Sequence, residues 1–113
     1  MAIFVRKEEI EFKDHPKFAG VKIAILVSSK DTDRASISML RIEPGVEIPI
    51  HTHDPQVDSI YVLSGEGEAY VNGSWQKIKT GDYIFVPARE EHGVKNTGSG
   101  ELELFIVHSP PLF

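Results

Sequence analysis

The sequence predicts an all-β domain of sandwich or barrel type, and three observations carry that expectation. Beyond the first dozen residues no window holds an apolar stripe at i, i+3, i+4 spacing. Gly or Pro interrupts nearly every segment. Runs rich in β-branched and aromatic residues recur at intervals of roughly eight to twelve residues, the spacing of antiparallel sandwiches and barrels.

The first candidate strand is the short apolar segment 3–5, Ile-Phe-Val. The next, 21–28, holds the longest apolar run, 21–27, broken only by Lys22. Residues 36–42 follow, with Met39 and Arg41 on one face and Leu40 and Ile42 on the other, because side chains alternate along a strand. In 59–63, Ile60 and Val62 alternate with Tyr61 and Leu63, which leaves apolar side chains on both faces. Residues 68–71 and 74–78 flank Asn72-Gly73, a pair suited to a type I′ hairpin turn in which both central residues need positive φ. Gly81-Asp82 introduces 83–86, and the strand at 92–95 ends in the turn Asn96-Thr97-Gly98-Ser99-Gly100. The last strand, 102–108, stops before Pro110-Pro111, which have no N–H for a ladder.

With 113 residues, 41% of them hydrophobic and 26% charged, the chain has the composition of one globular domain spanning 1–113. Seventeen acidic residues against 12 basic ones give a net charge of −5, and the basic residues are scattered, so no nucleic-acid partner is expected. No apolar run reaches membrane-spanning length and the first ten residues carry charges where a secretory signal would be apolar, so neither a membrane association nor a leader is expected, and a cytoplasmic location is. The absence of cysteine excludes disulfides, thiolate nucleophiles and cysteine-ligated metals. Any metal must be held by His, carboxylate or amide oxygen.

His51-Thr52-His53 is the first feature with chemistry in it, since i and i+2 side chains of an extended chain share a face and both imidazoles can converge on one ion. The pair sits in a longer frame, Gly45-x5-His51-x-His53-x4-Asp58-x6-Gly65, followed by Gly81-x5-Pro87-x4-His92-x3-Asn96. These two stretches, 45–65 and 81–96, resemble the two motifs of the cupin superfamily, small barrels of jelly-roll (double-stranded β-helix) topology. In that family the first motif supplies two His and a Glu, and the second a third His.

The resemblance implies His51, His53 and His92 as metal ligands, with Asp58 where the family usually has Glu, one methylene shorter. Gln56 shares the strand parity of Asp58 and stands as an alternative fourth ligand. Arg89 occupies the position of a motif glycine, so the loop before His92 must be built without a residue indifferent to φ. Arg41 and His108 are possible substrate contacts, the latter on the face of Leu102, Leu104 and Ile106. Asp54, before Pro55, reads as a turn former and His15, before Pro16, as surface loop.

Three imidazoles and a carboxylate suit one divalent transition metal, Mn, Fe, Co, Ni, Cu or Zn, and leave coordination positions open. The resemblance implies a metal-dependent enzyme of dioxygenase, isomerase or decarboxylase type acting on a small oxygen-rich molecule. The alternative is a non-catalytic module that binds or senses a small ligand with the metal as anchor, and no catalytic residue is assigned. The resemblance, with Tyr61 and Leu63 outward, also implies a homodimer, to which 3–5 adds at a neighbouring sheet edge.

Overall fold

The structure is a computed structural model that describes all residues, 1–113. After a single 3-10 turn at Lys7–Glu9 the chain is all β: β1 (Lys13–Asp14), β2 (Val21–Val27), β3 (Ser36–Ile42), β4 (Glu47–His51), β5 (Val57–Ser64), β6 (Glu66–Val71), β7 (Ser74–Lys79), β8 (Tyr83–Val86), β9 (His92–Lys95) and β10 (Leu102–Ser109). They form a six-stranded sheet in the order β1-β2-β3-β10-β5-β8 and a four-stranded sheet in the order β4-β9-β6-β7. Every pairing is antiparallel. No helix is long and apolar enough to cross a membrane.

The alternation expected from sequence is present in three neighbouring strands of the six-stranded sheet, β3, β10 and β5. In β3, Ser36, Ser38, Leu40 and Ile42 are buried while Ile37, Met39 and Arg41 are half-exposed. In β10 the buried series is Leu102, Leu104, Ile106 and His108, and in β5 it is Asp58, Ile60 and Val62. The register fixes which ends meet: Leu102 lies opposite Ile42, and His108 lies opposite both Ser36 and Asp58. The inward face is therefore apolar at one end and polar at the other. The apolar end joins Ile48, Ala69, Ile78 and Val94 from the other sheet in a single core cluster. The polar end is where chemistry can be placed.

The Asn72-Gly73 turn forms as expected, with φ of 54° and 84°. Gly65 ends the first motif with φ 96°, and a Cβ there would come within 2.6 Å of the Glu101 carbonyl oxygen, so glycine is required on two counts. Asn96 is buried and ties the following turn together: its amide donates to the carbonyls of Ile42 and Gly100, each at 2.8 Å, and its oxygen accepts from Gly98 N–H at 2.9 Å.

Two strands were not expected, and one expected strand is absent. β4 contains Pro49, which argues against a strand, but β4 is the edge of its sheet and pairs only with β9, so the missing N–H is tolerated there. β1 is two charged residues whose pairing depends on β2, so nothing local signals it. Residues 3–5 form no strand; they find no partner in this chain, and Ile3, Phe4 and Val5 stay exposed.

Candidate metal centre

Both sheets deliver polar side chains to the same end of the barrel. β4 ends on His51, which lies in register with His92 at the start of β9. Two residues further on, His53 comes alongside, with ring centroids 4.8 Å from His51 and 5.1 Å from His92; His51 and His92 are 4.3 Å apart. From the other sheet come Asp58 and His108, direct neighbours across β5 and β10. The loop before His92 is held by the Arg89 N–H, which donates to the His53 carbonyl at 2.7 Å. Arg89 makes that bond with φ 68°, so the motif position keeps its left-handed conformation without glycine, at a cost of about 1 to 2 kcal/mol.

Backbone contacts orient two of the rings. His51 Nδ1–H donates to the Pro49 carbonyl at 2.7 Å and His92 Nδ1–H to the Glu90 carbonyl at 3.1 Å, so each ring presents Nε2 to the interior. There Asp58 Oδ2 is 3.2 Å from His92 Nε2, 3.3 Å from His108 Nε2 and 3.8 Å from His53 Nε2. Burial pushes the Asp58 carboxyl up, but hydrogen bonds from His108 and His92 outweigh it and hold the group well below the usual carboxylate range. Burial and the neighbouring His51 lower His53 to about 4. Burial also lowers His51, against the opposing bond to Pro49. His92 differs: burial lowers it, yet the hydrogen bonds to Asp58 and Glu90 prevail and its pKa is raised. One carboxylate thus raises the pKa of one imidazole beside two whose pKa burial lowers.

This donor set fits a divalent cation. The ligand atoms of His51, His53 and His92 lie within 4.8 Å of one another, as do those of His53, Asp58 and His108. Asp58 Oδ1 and His108 Nδ1 are buried without a hydrogen-bond partner, a costly state for a carboxylate oxygen that a cation relieves. Imidazole and carboxylate together suit the borderline transition metals.

The cluster lines a cavity of about 350 Å³ whose walls are largely apolar, with Leu40, Ile60, Leu104 and Ile106 from the six-stranded sheet. His108 faces this cavity, as its strand parity implies. Arg41 does not: it lies on the outer face of β3, its Nε 3.0 Å from Glu103 Oε2 and its guanidinium 3.9 Å above the Phe12 ring. Gln56 points its amide elsewhere, with Nε2 donating to the Pro111 carbonyl at 3.1 Å, and anchors the C-terminal segment. His15, read from sequence as surface loop, is half-buried and lines the cavity with Phe18 and Phe113. His15 and Pro16 do lie in a loop, directly after β1; nothing local shows that this loop covers a cavity built by strands far along the chain.

A family model described as the Cupin domain matches residues 38–108, the stretch that holds both motifs. The chain is 35% identical over 68 residues to a protein of Thermotoga maritima named oxalate-binding protein, a match covering 60% of this chain and 56% of that protein. It is 30% identical over 71 residues to a 5-nitrosalicylic acid 1,2-dioxygenase of Bradyrhizobium, covering 63% of this chain and 34% of that enzyme. The chain spans little more than half and about a third of these two relatives. Among solved structures, one described as a predicted oxalate decarboxylase from Thermotoga maritima superposes with a TM-score of 0.86 and 30% identity, covering 95% of this chain and 98% of that one.

Proposed function

The chain belongs to the cupin domain family, and from that premise we propose that it is a metal-dependent enzyme acting on a small oxygen-rich molecule inside the barrel. The observation that carries this reading is the convergence of four imidazoles and one carboxylate, buried or half-buried, on the polar end of an otherwise apolar cavity. His51, His53, His92 and Asp58 would hold one divalent transition ion. When bound, such an ion supplies Lewis acidity and open positions for an oxygen ligand. The remaining residues do the protein's part. Leu40, Ile60, Leu104 and Ile106 exclude water from the reacting group, which strengthens every polar contact made there. Asp58 holds the His92 and His108 rings in place, and His108 offers a polar contact to the bound molecule.

A second reading is favoured by the similarity to a protein named for oxalate binding: a module that binds a small ligand and performs no turnover. Elemental analysis, followed by calorimetric binding and by oxygen-uptake and product assays on sugars, diketones and hydroxy acids, separates the two. Turnover of any compound that binds supports the enzyme; binding throughout the panel with no product supports the module.

The fourth ligand has its own test. Asp58→Asn keeps the side chain's size while removing its charge, and lowers metal affinity by at least about tenfold. Gln56→Ala leaves affinity unchanged and lowers stability by about 1 kcal/mol through loss of its bond to Pro111. A competition titration that ranks the two variants in the opposite order overturns the assignment of Asp58.

The whole of 1–113 acts as one domain in this reading, in the cytoplasm and as a homodimer. Two features support the dimer: Tyr61, Tyr83 and Phe85 are exposed on the six-stranded sheet, and residues 3–5 have no strand partner within the chain. Light scattering at micromolar concentration gives twice 12.6 kDa if this holds. A mass of one chain rejects the dimer and leaves the metal centre intact, since every ligand comes from one chain.

A further inference from the structure

The cavity carries one more imidazole outside the metal centre, and the neighbours of His15 have already set its chemistry. His15 follows β1; its backbone N–H donates to the Val21 carbonyl at 2.8 Å and the Val21 N–H donates to the Phe18 carbonyl at 3.4 Å, which closes the loop. The ring stacks on Phe18 with centroids 4.8 Å apart and planes 32° apart, and meets Phe113 edge-on at 6.5 Å. His15 Nδ1 accepts the Lys17 backbone N–H at 3.1 Å. A ring nitrogen that accepts carries no proton, so in the neutral ring the proton is on Nε2. Burial and the charge of Lys17 lower the pKa of His15 and keep the ring neutral near pH 7.

The stacking partner is fixed as well. The Phe113 carbonyl accepts the Ser29 N–H at 2.7 Å, Leu112 N–H donates to Ser36 Oγ at 2.9 Å, and Gln56 holds Pro111. Phe113 also meets the His108 ring edge-on at 5.9 Å. An aromatic wall therefore runs from the metal centre through Phe113 to His15 and Phe18. Lys17 is the one Lys or Arg among the residues lining the cavity.

We propose that His15 and Lys17 form a second recognition point, which binds a carboxylate or carbonyl oxygen at the end of the ligand remote from the metal centre. The ligand class is then a small acid with a flat apolar body and oxygen at both ends. A two-carbon diacid does not fill this space: its carboxylates are adjacent and leave the apolar wall bare, whereas a cavity of about 350 Å³ has room for roughly ten water-sized groups. The proposal rests on the reading of the cluster as a metal centre.

The test uses the cobalt(II)-loaded protein, with benzoate and terephthalate as probes and calorimetry and the cobalt absorption spectrum as readouts. In the unmodified protein terephthalate binds about tenfold more tightly than benzoate, because only it reaches both ends. His15→Phe keeps the aromatic stack and removes the donor; Lys17→Met removes the charge. In each the difference shrinks to within about threefold, while benzoate affinity and metal content are unchanged. If benzoate perturbs the cobalt spectrum and terephthalate is no tighter, or stays tenfold tighter in both variants, this proposal alone is overturned. If neither acid perturbs the spectrum, the metal-centre reading falls and the proposal falls with it.

Discussion

Replacing His51 and His53 together with alanine abolishes metal binding, taking the content from about one divalent ion per chain to less than about a tenth of that. The expectation follows from the shared position of these two rings. His53 belongs to both groups of donors, the one with His51 and His92 and the one with Asp58 and His108. Its loss with His51 leaves His92 and His108, and both are already engaged with the same carboxylate oxygen. Elemental analysis of dialysed protein measures the outcome, and full occupancy in the double variant overturns the ligand assignment. The same linkage has a thermal consequence. The four ligands come from β4, the loop after it, β5 and β9, so a bound ion ties both sheets together. At a thousandfold excess over its dissociation constant the ion stabilises the fold by about 4 kcal/mol. Stripping it lowers the melting temperature by about 10 °C or more in a domain of this size.

Metal affinity falls by about tenfold per pH unit as the pH drops below the raised pKa of His92, and His53 adds to the slope only towards about pH 4. His53, lowered to about 4, is neutral in mildly acid solution, and burial lowers His51 too, so near neutrality neither ring has a proton to release on binding. His92 is the ring that keeps its proton, stabilised by Asp58 and the Glu90 carbonyl against the effect of burial, and a cation must displace it. Competition titrations at several pH values between neutrality and pH 5 read the slope directly. A dependence of about three protons means that the imidazoles titrate together and refutes this picture. In the metal-free protein the two shifts act in opposite directions on stability. The raised pKa of His92 contributes stability that is present below 6.5 and is lost as the pH rises through its folded value. The lowered pKa of His53 makes stability decline as the pH falls from 6.5 towards about 4, because there the unfolded chain binds the proton and the folded one does not.

The elements most legible in the sequence were those with local signals. The strand at Ser36–Ile42, the hairpin around Asn72-Gly73 and the strand ending at Pro110 were legible because alternation, a turn pair and a missing N–H act within a few residues. The β4 strand was not, because Pro49 speaks against pairing and only its place at a sheet edge makes it tolerable. Segment 3–5 has strand composition without a strand partner in the chain, and composition cannot supply one.

At the candidate site the same division holds. Spacing alone put His51 and His53 on one face, and strand parity put His108 with Leu104 and Ile106. That Asp58 stands opposite His108, and that His51 stands opposite His92, depends on registers between strands far apart in sequence. Parity is a two-residue property of a single strand, so the sequence by itself determined which side chains share a face. Register and sheet order are set by packing many strands at once, so only the tertiary structure decided which inward side chains meet, why Arg41 serves Glu103 and Gln56 serves Pro111, and how His15 comes to line the cavity that the distant histidines share.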